Sequence, residues 1–134
     1  MRPIFEKFVS SHGVADRVRF SPGGLLRDTL PTADVGVLGR ILHNWDLDRK
    51  KALLAKAYAT LPEGGALLVY DTIIDDDRRT NAMDLLISLN MLLETHGGFD
   101  YTGADCIGWM QQVGFRQARV EPLTETHSMV VGAK

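Results

Sequence analysis

Cysteine is nearly missing from this sequence: Cys106 stands alone among 134 residues. One thiol closes no internal disulfide, so the fold must rest on packing, and a reducing cytoplasm is the expected setting. Long apolar runs are lacking too. The densest, residues 85–93, is broken by Ser88 and Asn90, far short of the ~20 residues that a membrane-spanning helix needs. Residues 1–7 hold no apolar stretch of the kind found in a secretory signal. Neither sign of charge is in excess: 15 Lys and Arg against 17 Asp and Glu leave −2. That balance gives no footprint for nucleic acid or an anionic membrane. His12, His43, His96 and His127 keep no metal-ligand spacing, so no metal site is expected. No GxSxG, P-loop or GxGxxG occurs either. What is present is an average globular composition, 45% hydrophobic and 24% charged. A chain of this length makes one domain and can bury roughly two-thirds of its unfolded surface.

The order of elements follows from periodicity. Ile4, Phe5, Phe8 and Val9 recur at helical spacing, which predicts a helix over 3–12. Arg17 to Phe20 alternates polar and apolar before Ser21-Pro22-Gly23-Gly24, and reads as a strand running into a turn. Residues 34–39 read as a short buried strand. From 47 to 61 the pattern is helical, with Leu53, Leu54, Ala57 and Leu61 on one face and Arg49, Lys50, Lys51 and Lys56 largely off it. Residues 66–70 are almost continuously apolar, as in a strand buried on both faces, and Asp71 ends it. Residues 81–94 are apolar on more than one face, so that helix wants cover from more than one side, another subunit included. Thr102 with Asp105 resembles a capping box, and Gly114 a helix stop, for a helix reaching Val113. Residues 116–123 and 128–131 complete the series as two strands joined by a loop at Glu125-Thr126. Alternating strands and helices predict an open α/β sheet with parallel strands. The last two strands have too short a connection to be parallel, so they are expected to run antiparallel at the sheet's edge.

Ligands of open α/β sheets bind beyond the C-terminal ends of the strands. Gly23-Gly24, His43-Asn44-Trp45 and Asp71 are placed to face that side. A His and an Asp at adjacent strand tips make a plausible acid–base pair, although such groups often serve only as hydrogen-bonding or capping side chains. Trp45 suits a core edge as well as a cofactor face, and Met91 a core as well as a pocket. Asp100 is most simply a solvated loop carboxylate, and Cys106 a small apolar filler.

Two blocks sharpen this. Ile41-Leu42-His43-Asn44-Trp45-Asp46 is followed by a helix and by Leu61-Pro62-Glu63-Gly64-Gly65-Ala66-Leu67-Leu68-Val69-Tyr70-Asp71. Gly97-Gly98-Phe99-Asp100-Tyr101-Thr102 then precedes Trp109-Met110 and Val113-Gly114-Phe115. Together they resemble the C-terminal part of S-adenosylmethionine-dependent small-molecule O-methyltransferases of the plant caffeate/isoflavone and bacterial polyketide and carotenoid type. The match runs over nearly the whole chain from about Pro3. It implies a single domain over 1–134, the C-terminal portion of a methyltransferase catalytic domain. It implies a Rossmann-like sheet that lacks its first two strands and ends in an antiparallel pair. By resemblance His43 is the general base that takes the acceptor hydroxyl's proton, and Asp71 and Asp100 orient it. Gly23, Gly24, Leu25 and Trp45 fall at cofactor positions, and Met91 and Thr95 at acceptor positions. The implied cofactor is S-adenosyl-L-methionine and the implied partner a small hydroxyl acceptor.

The chain departs from the family pattern in several places. The glycine-rich cofactor loop and the following ribose-binding acid are not in it. Gly23-Gly24-Leu25-Leu26 stands where the family has Gly-Asp-x-Phe, and Asn44 replaces the Asp of LHDW. Cofactor binding by this chain alone is therefore expected to be weak or absent, and the chain alone inactive. A central strand left as an edge predicts a homo-oligomer, a swapped dimer or a rearranged sheet. The competing reading is a truncated, non-catalytic methyltransferase-like module for dimerisation or interaction. An unrelated α/β hydrolase is disfavoured by the missing nucleophile elbow.

Overall fold

The structure, a computed structural model, describes residues 1–80, 82–124 and 127–134. It forms two compact units, Met1–Pro31 and Thr32–Lys134.

The first unit opens with helix α1, Arg2–Ser11, with Pro3 in its first turn, where a missing N–H costs nothing. The His12 N–H bonds to the Phe8 carbonyl, and Gly13 turns the chain at φ 64°. Phe5 packs on Phe20 with ring centroids 5.4 Å apart. The strand expected at 17–20 does not form. The Arg17 and Val18 N–H groups both bond to the Val14 carbonyl, which makes a turn. Alternation marks two faces of a segment but supplies no partner for its backbone, and a strand needs that partner.

The second unit is a four-stranded sheet with helices. In chain order it runs β1 (Val35–Gly39), a 3₁₀ turn (Leu42–Asn44), α2 (Leu47–Thr60), β2 (Ala66–Asp71), α3 (Ala82–Glu94), α4 (Gly103–Val113), β3 (Gln117–Pro122) and β4 (Ser128–Ala133). The sheet order is β1-β2-β4-β3. β1 and β2 are parallel, joined by the α2 crossover, while β4 runs antiparallel to both β2 and β3. The final pair is thus antiparallel, with its second strand on the inside. Asn81, the expected start of α3, and the expected loop at Glu125-Thr126 lie outside the described residues.

Leu53 and Leu54 of α2, Cys106 and Met110 of α4, and Leu67, Val69 and Val130 of the sheet form a buried core. Each large apolar side chain so buried contributes about 1.5–3 kcal/mol. Four expectations need correcting. β1 is not a buried strand: Val35 and Val37 are exposed and Leu38 is its one buried residue. β2 is not buried evenly: Leu67, Val69 and Asp71 are buried, whereas Ala66, Leu68 and Tyr70 are half-buried. Lys50 is not off the apolar face of α2 but wholly buried on it. Asp100 is not a solvated carboxylate but 3% exposed. α3 does present an open apolar side, with Met83, Leu86, Leu89, Leu92 and Leu93 exposed and Met91 buried. α4 carries the capping box expected of Thr102 and Asp105, and Gly114 ends it in a left-handed conformation. Among the described residues no helix is long and apolar enough to cross a membrane.

Candidate active site

The parallel pairing sets the site. Gly39 lies opposite Tyr70, so the segments leaving β1 and β2 emerge at the same rim. A Cβ at Gly39 would overlap the outer end of the Tyr70 ring, so any larger residue there has to displace that ring. Arg40 follows at φ 53°, with its N–H on the Tyr70 carbonyl at 2.8 Å. The chain then tightens into the 3₁₀ turn. Asn44 closes that turn by donating from Nδ2 to the Arg40 carbonyl at 3.1 Å. His43 is held there, 4% exposed. At the end of β2 stands Asp71, fully buried. The third segment is the loop after α3, drawn in by an isolated bridge between Ile74 and Thr102. It brings Asp100.

The three side chains meet. His43 Nδ1 lies 3.2 Å from Asp100 Oδ1 and 3.8 Å from Asp71 Oδ1. With its proton on Nδ1 the imidazole donates to Asp100, and Nε2 keeps its lone pair. Among the described residues no protein group bonds to Nε2. The hydrogen bond from Asp100 raises the His43 pKa; burial opposes it, and the Asp71 and Asp100 charges add to it. Burial pushes the Asp71 carboxyl upward, opposed by the Tyr101 hydrogen bond and by His43. Tyr101, 1% exposed, donates its hydroxyl to Asp71 Oδ2 at 2.6 Å. Burial, with Asp71 beside it, holds that phenol well above its usual range, so it stays a donor. Asp71 Oδ1 and Asp100 Oδ2 are buried with no hydrogen-bond donor. An array of this kind favours positive charge on the imidazole between the carboxylates.

Two members escape a reading of the sequence. Tyr101 looks like a loop aromatic, yet it fixes Asp71. Lys50 Nζ donates to the Trp45 carbonyl at 2.5 Å and to the Phe99 carbonyl at 2.8 Å. Desolvation lowers its pKa to about 8, while Asp100, Asp71 and Asp46 pull the other way. A signal was available: Lys50 precedes Leu53, Leu54 and Ala57 by three, four and seven positions, which is the spacing of the buried stripe itself. Cys106 is fully buried and its thiol is pushed up to about 12 by burial, so it is an unreactive filler.

The remaining candidates are placed as follows. Trp45 is half-buried, with the Arg49 guanidinium 5.4 Å from its ring centroid. Met91 is buried on α3. Thr95 donates to the Met91 carbonyl at 2.7 Å and accepts the Gly98 N–H at 2.8 Å, so its hydroxyl is engaged in ending α3. Gly23, Gly24 and Leu25 belong to the first unit. There residues 21–25 and 28–31 line a cavity of about 150 Å³, and the Gly24 N–H is taken by Asp28 Oδ2 at 2.6 Å. Sites for small molecules and cofactors run roughly 300–1,000 Å³. These residues by themselves therefore do not enclose a molecule as large as S-adenosylmethionine.

Comparison with known proteins adds independent findings. The family model for the O-methyltransferase domain matches residues 5–116. The tetracenomycin polyketide synthesis 8-O-methyl transferase TcmO of Streptomyces glaucescens is 42% identical over 134 residues, covering 100% of this chain and 40% of that protein. An O-methyltransferase family 2 protein from Planctomyces limnophilus, solved in complex with apigenin, superposes with a TM-score of 0.92 at 29% identity, over 98% of this chain and 39% of that one. Human N-acetylserotonin methyltransferase, solved in complex with SAM, gives 0.82 at 32% identity, over 89% and 34%. The chain thus spans 34–40% of the length of these relatives.

Proposed function

Since the chain belongs to the O-methyltransferase domain family, we propose that the protein carrying it methylates a hydroxyl of a small aromatic or polyketide-like acceptor, using S-adenosylmethionine and His43 as general base. One observation carries the reading: Nδ1 of a buried imidazole is held by Asp100 at 3.2 Å, with Asp71 behind it, leaving Nε2 unengaged. S-adenosylmethionine supplies the electrophilic methyl group in this family of reactions. The part of this chain is proton transfer and positioning. The Asp100 contact fixes the tautomer, so Nε2 accepts the hydroxyl proton as the oxygen becomes nucleophilic. Asp71 and Asp100 then stabilise the imidazolium, and solvent takes the proton afterwards. Tyr101 keeps Asp71 oriented. No disulfide can form within this chain, whose one thiol is Cys106, and a reducing cytoplasm is the setting this suggests.

Replacing the base tests this directly. His43→Ala in the intact protein is expected to lower turnover on the order of 10²–10⁴-fold, measured as methyl transfer to a phenolic acceptor. Unchanged turnover would remove His43 from the role.

A second reading is a non-catalytic interaction module. The small cavity at 21–31 and the exposed apolar side of α3 favour it. Calorimetric titration of the intact protein with S-adenosylmethionine and its demethylated product separates the two. Micromolar binding supports the enzyme; absence of heat at millimolar ligand supports the module.

A further inference from the structure

Lys50 stands among the largest fully buried side chains of the protein. An ammonium in such a place is costly unless its protons are met, and an apolar side chain would continue the α2 stripe more cheaply. Its protons are met by backbone. Nζ bonds to the carbonyl of Trp45, two residues after His43, and to the carbonyl of Phe99, the residue before Asp100. It also sits 3.4 Å from the centroid of the Phe99 ring and 5.7 Å from that of Tyr101, where the ring faces favour a cation. Asp100, Asp71 and Asp46 all attract it. No backbone hydrogen bond runs directly between residues 41–46 and 97–101 among the described residues. Their separation nonetheless sets the distance from imidazole to carboxylate.

We propose that the Lys50 ammonium is a positioning residue, a clamp that holds the turn bearing His43 in register with the loop bearing Asp100. This rests on the general-base reading of His43, because only that reading gives the register a chemical consequence. One charge reaches both strands of the loop pair and at the same time offsets the two buried carboxylates. Without it, the carbonyls of Trp45 and Phe99 lose their shared donor, and the Nδ1 contact is left as the one hydrogen bond between the two segments among the described residues, beside the packing of Gly98 on the turn.

The test uses the intact protein with Lys50→Met, which keeps the apolar stripe and about the same volume. Two signals are read: the His43 Nδ1–H proton resonance by NMR, and kcat apart from KM for the acceptor. The clamp predicts that the Nδ1–H resonance is lost to exchange, and that kcat falls on the order of 10–100-fold, as a small misplacement of a reacting group does, with KM unmoved. If Lys50→Met does not fold, Lys50→Leu, which also keeps the apolar stripe and removes every donor, is read in the same way. A folded variant that retains the resonance overturns the clamp, whatever its kcat. The resonance needs no turnover, so the two ideas fail separately. An intact resonance in Lys50→Met condemns the clamp, whereas normal turnover in His43→Ala condemns the base.

Discussion

An imidazole that is to accept a proton must be neutral at rest, yet the neighbours of His43 favour its charged form. Its pKa is raised above 6.5, chiefly by the Asp100 hydrogen bond. The acid limb of kcat/KM is therefore expected above pH 6.5, with activity rising as the ring loses its proton. The stability contributed by the ring has the opposite sign. It is complete below pH 6.5, the unfolded value, and is lost as pH rises through the raised folded value. In Asp100→Asn the main cause is gone, and the limb should move toward 6.5; a pH–rate profile that does not move would contradict the pairing. Lys50 behaves differently. Its pKa falls from 10.5 to about 8 on folding, so the unfolded chain holds that proton more tightly. Burial of the charge penalises the fold below about pH 8, and the penalty lifts as pH rises toward 10.5. Wild type should consequently gain on Lys50→Met between about pH 7.5 and about pH 10 in urea midpoints. His43 and Asp71 could be singled out from the sequence because they stand at or just beyond strand ends, whereas Asp100 read as a solvated loop carboxylate and was picked out only by the family resemblance. Tyr101 could not, because a loop tyrosine shows its purpose only once its neighbours are known, and for Lys50 the spacing showed a place on the buried stripe but not the carbonyls that meet its protons.

Elements near the site depend on close approach more than on propensity. The loop carrying Asp100 lies against the 3₁₀ turn so tightly that a Cβ on Gly98 would stand 2.6 Å from the His43 carbonyl oxygen and 2.9 Å from the Asn44 carbonyl carbon. Gly98→Ala is expected to cost about 1–3 kcal/mol, as overpacking does, and to lower activity by shifting the turn. Gly108 makes the contrast: within α4 its added Cβ meets nothing within 4 Å, and Gly108→Ala should stabilise by about 0.5–1 kcal/mol. Denaturant titration of the pair measures both; equal effects would refute the packing argument. The helices were legible because caps and stripes are local signals, as at Thr102, Asp105 and Gly114. The segment 17–20 misled for a complementary reason. Its alternation is real, but a strand is a relation between two segments, and its turn around Val14 satisfies Arg17 and Val18 without one. The register of Gly39 on Tyr70 was equally out of sight, since only the folded sheet shows how little room the glycine has.

Across the whole molecule, the apolar residues that the core does not use are not scattered. Leu86, Leu89 and Leu93 recur along α3 at helical spacing beside Met83 and Leu92, each between 59% and 86% exposed. Val35 and Val37 are exposed on β1, which pairs with β2 alone among the described residues. A contiguous apolar patch and an open strand edge are both features that favour association. The sequence announced the apolar helix without saying what covers it, because hydrophobic pattern records a need for burial and not the identity of the neighbour. The two features also predict different routes to association, which can be told apart. If the helix face is the contact, Leu89→Glu with Leu92→Glu should shift the chain toward monomer in sedimentation velocity, and Val37→Lys should not. If the edge is the contact, Val37→Lys should act and the helix changes should be silent. The greater apolar area lies on α3, so the first outcome is expected. A chain that sediments as a monomer at tens of micromolar before any substitution would sink both routes. It would also leave the exposed face of α3 as surface that needs no second copy.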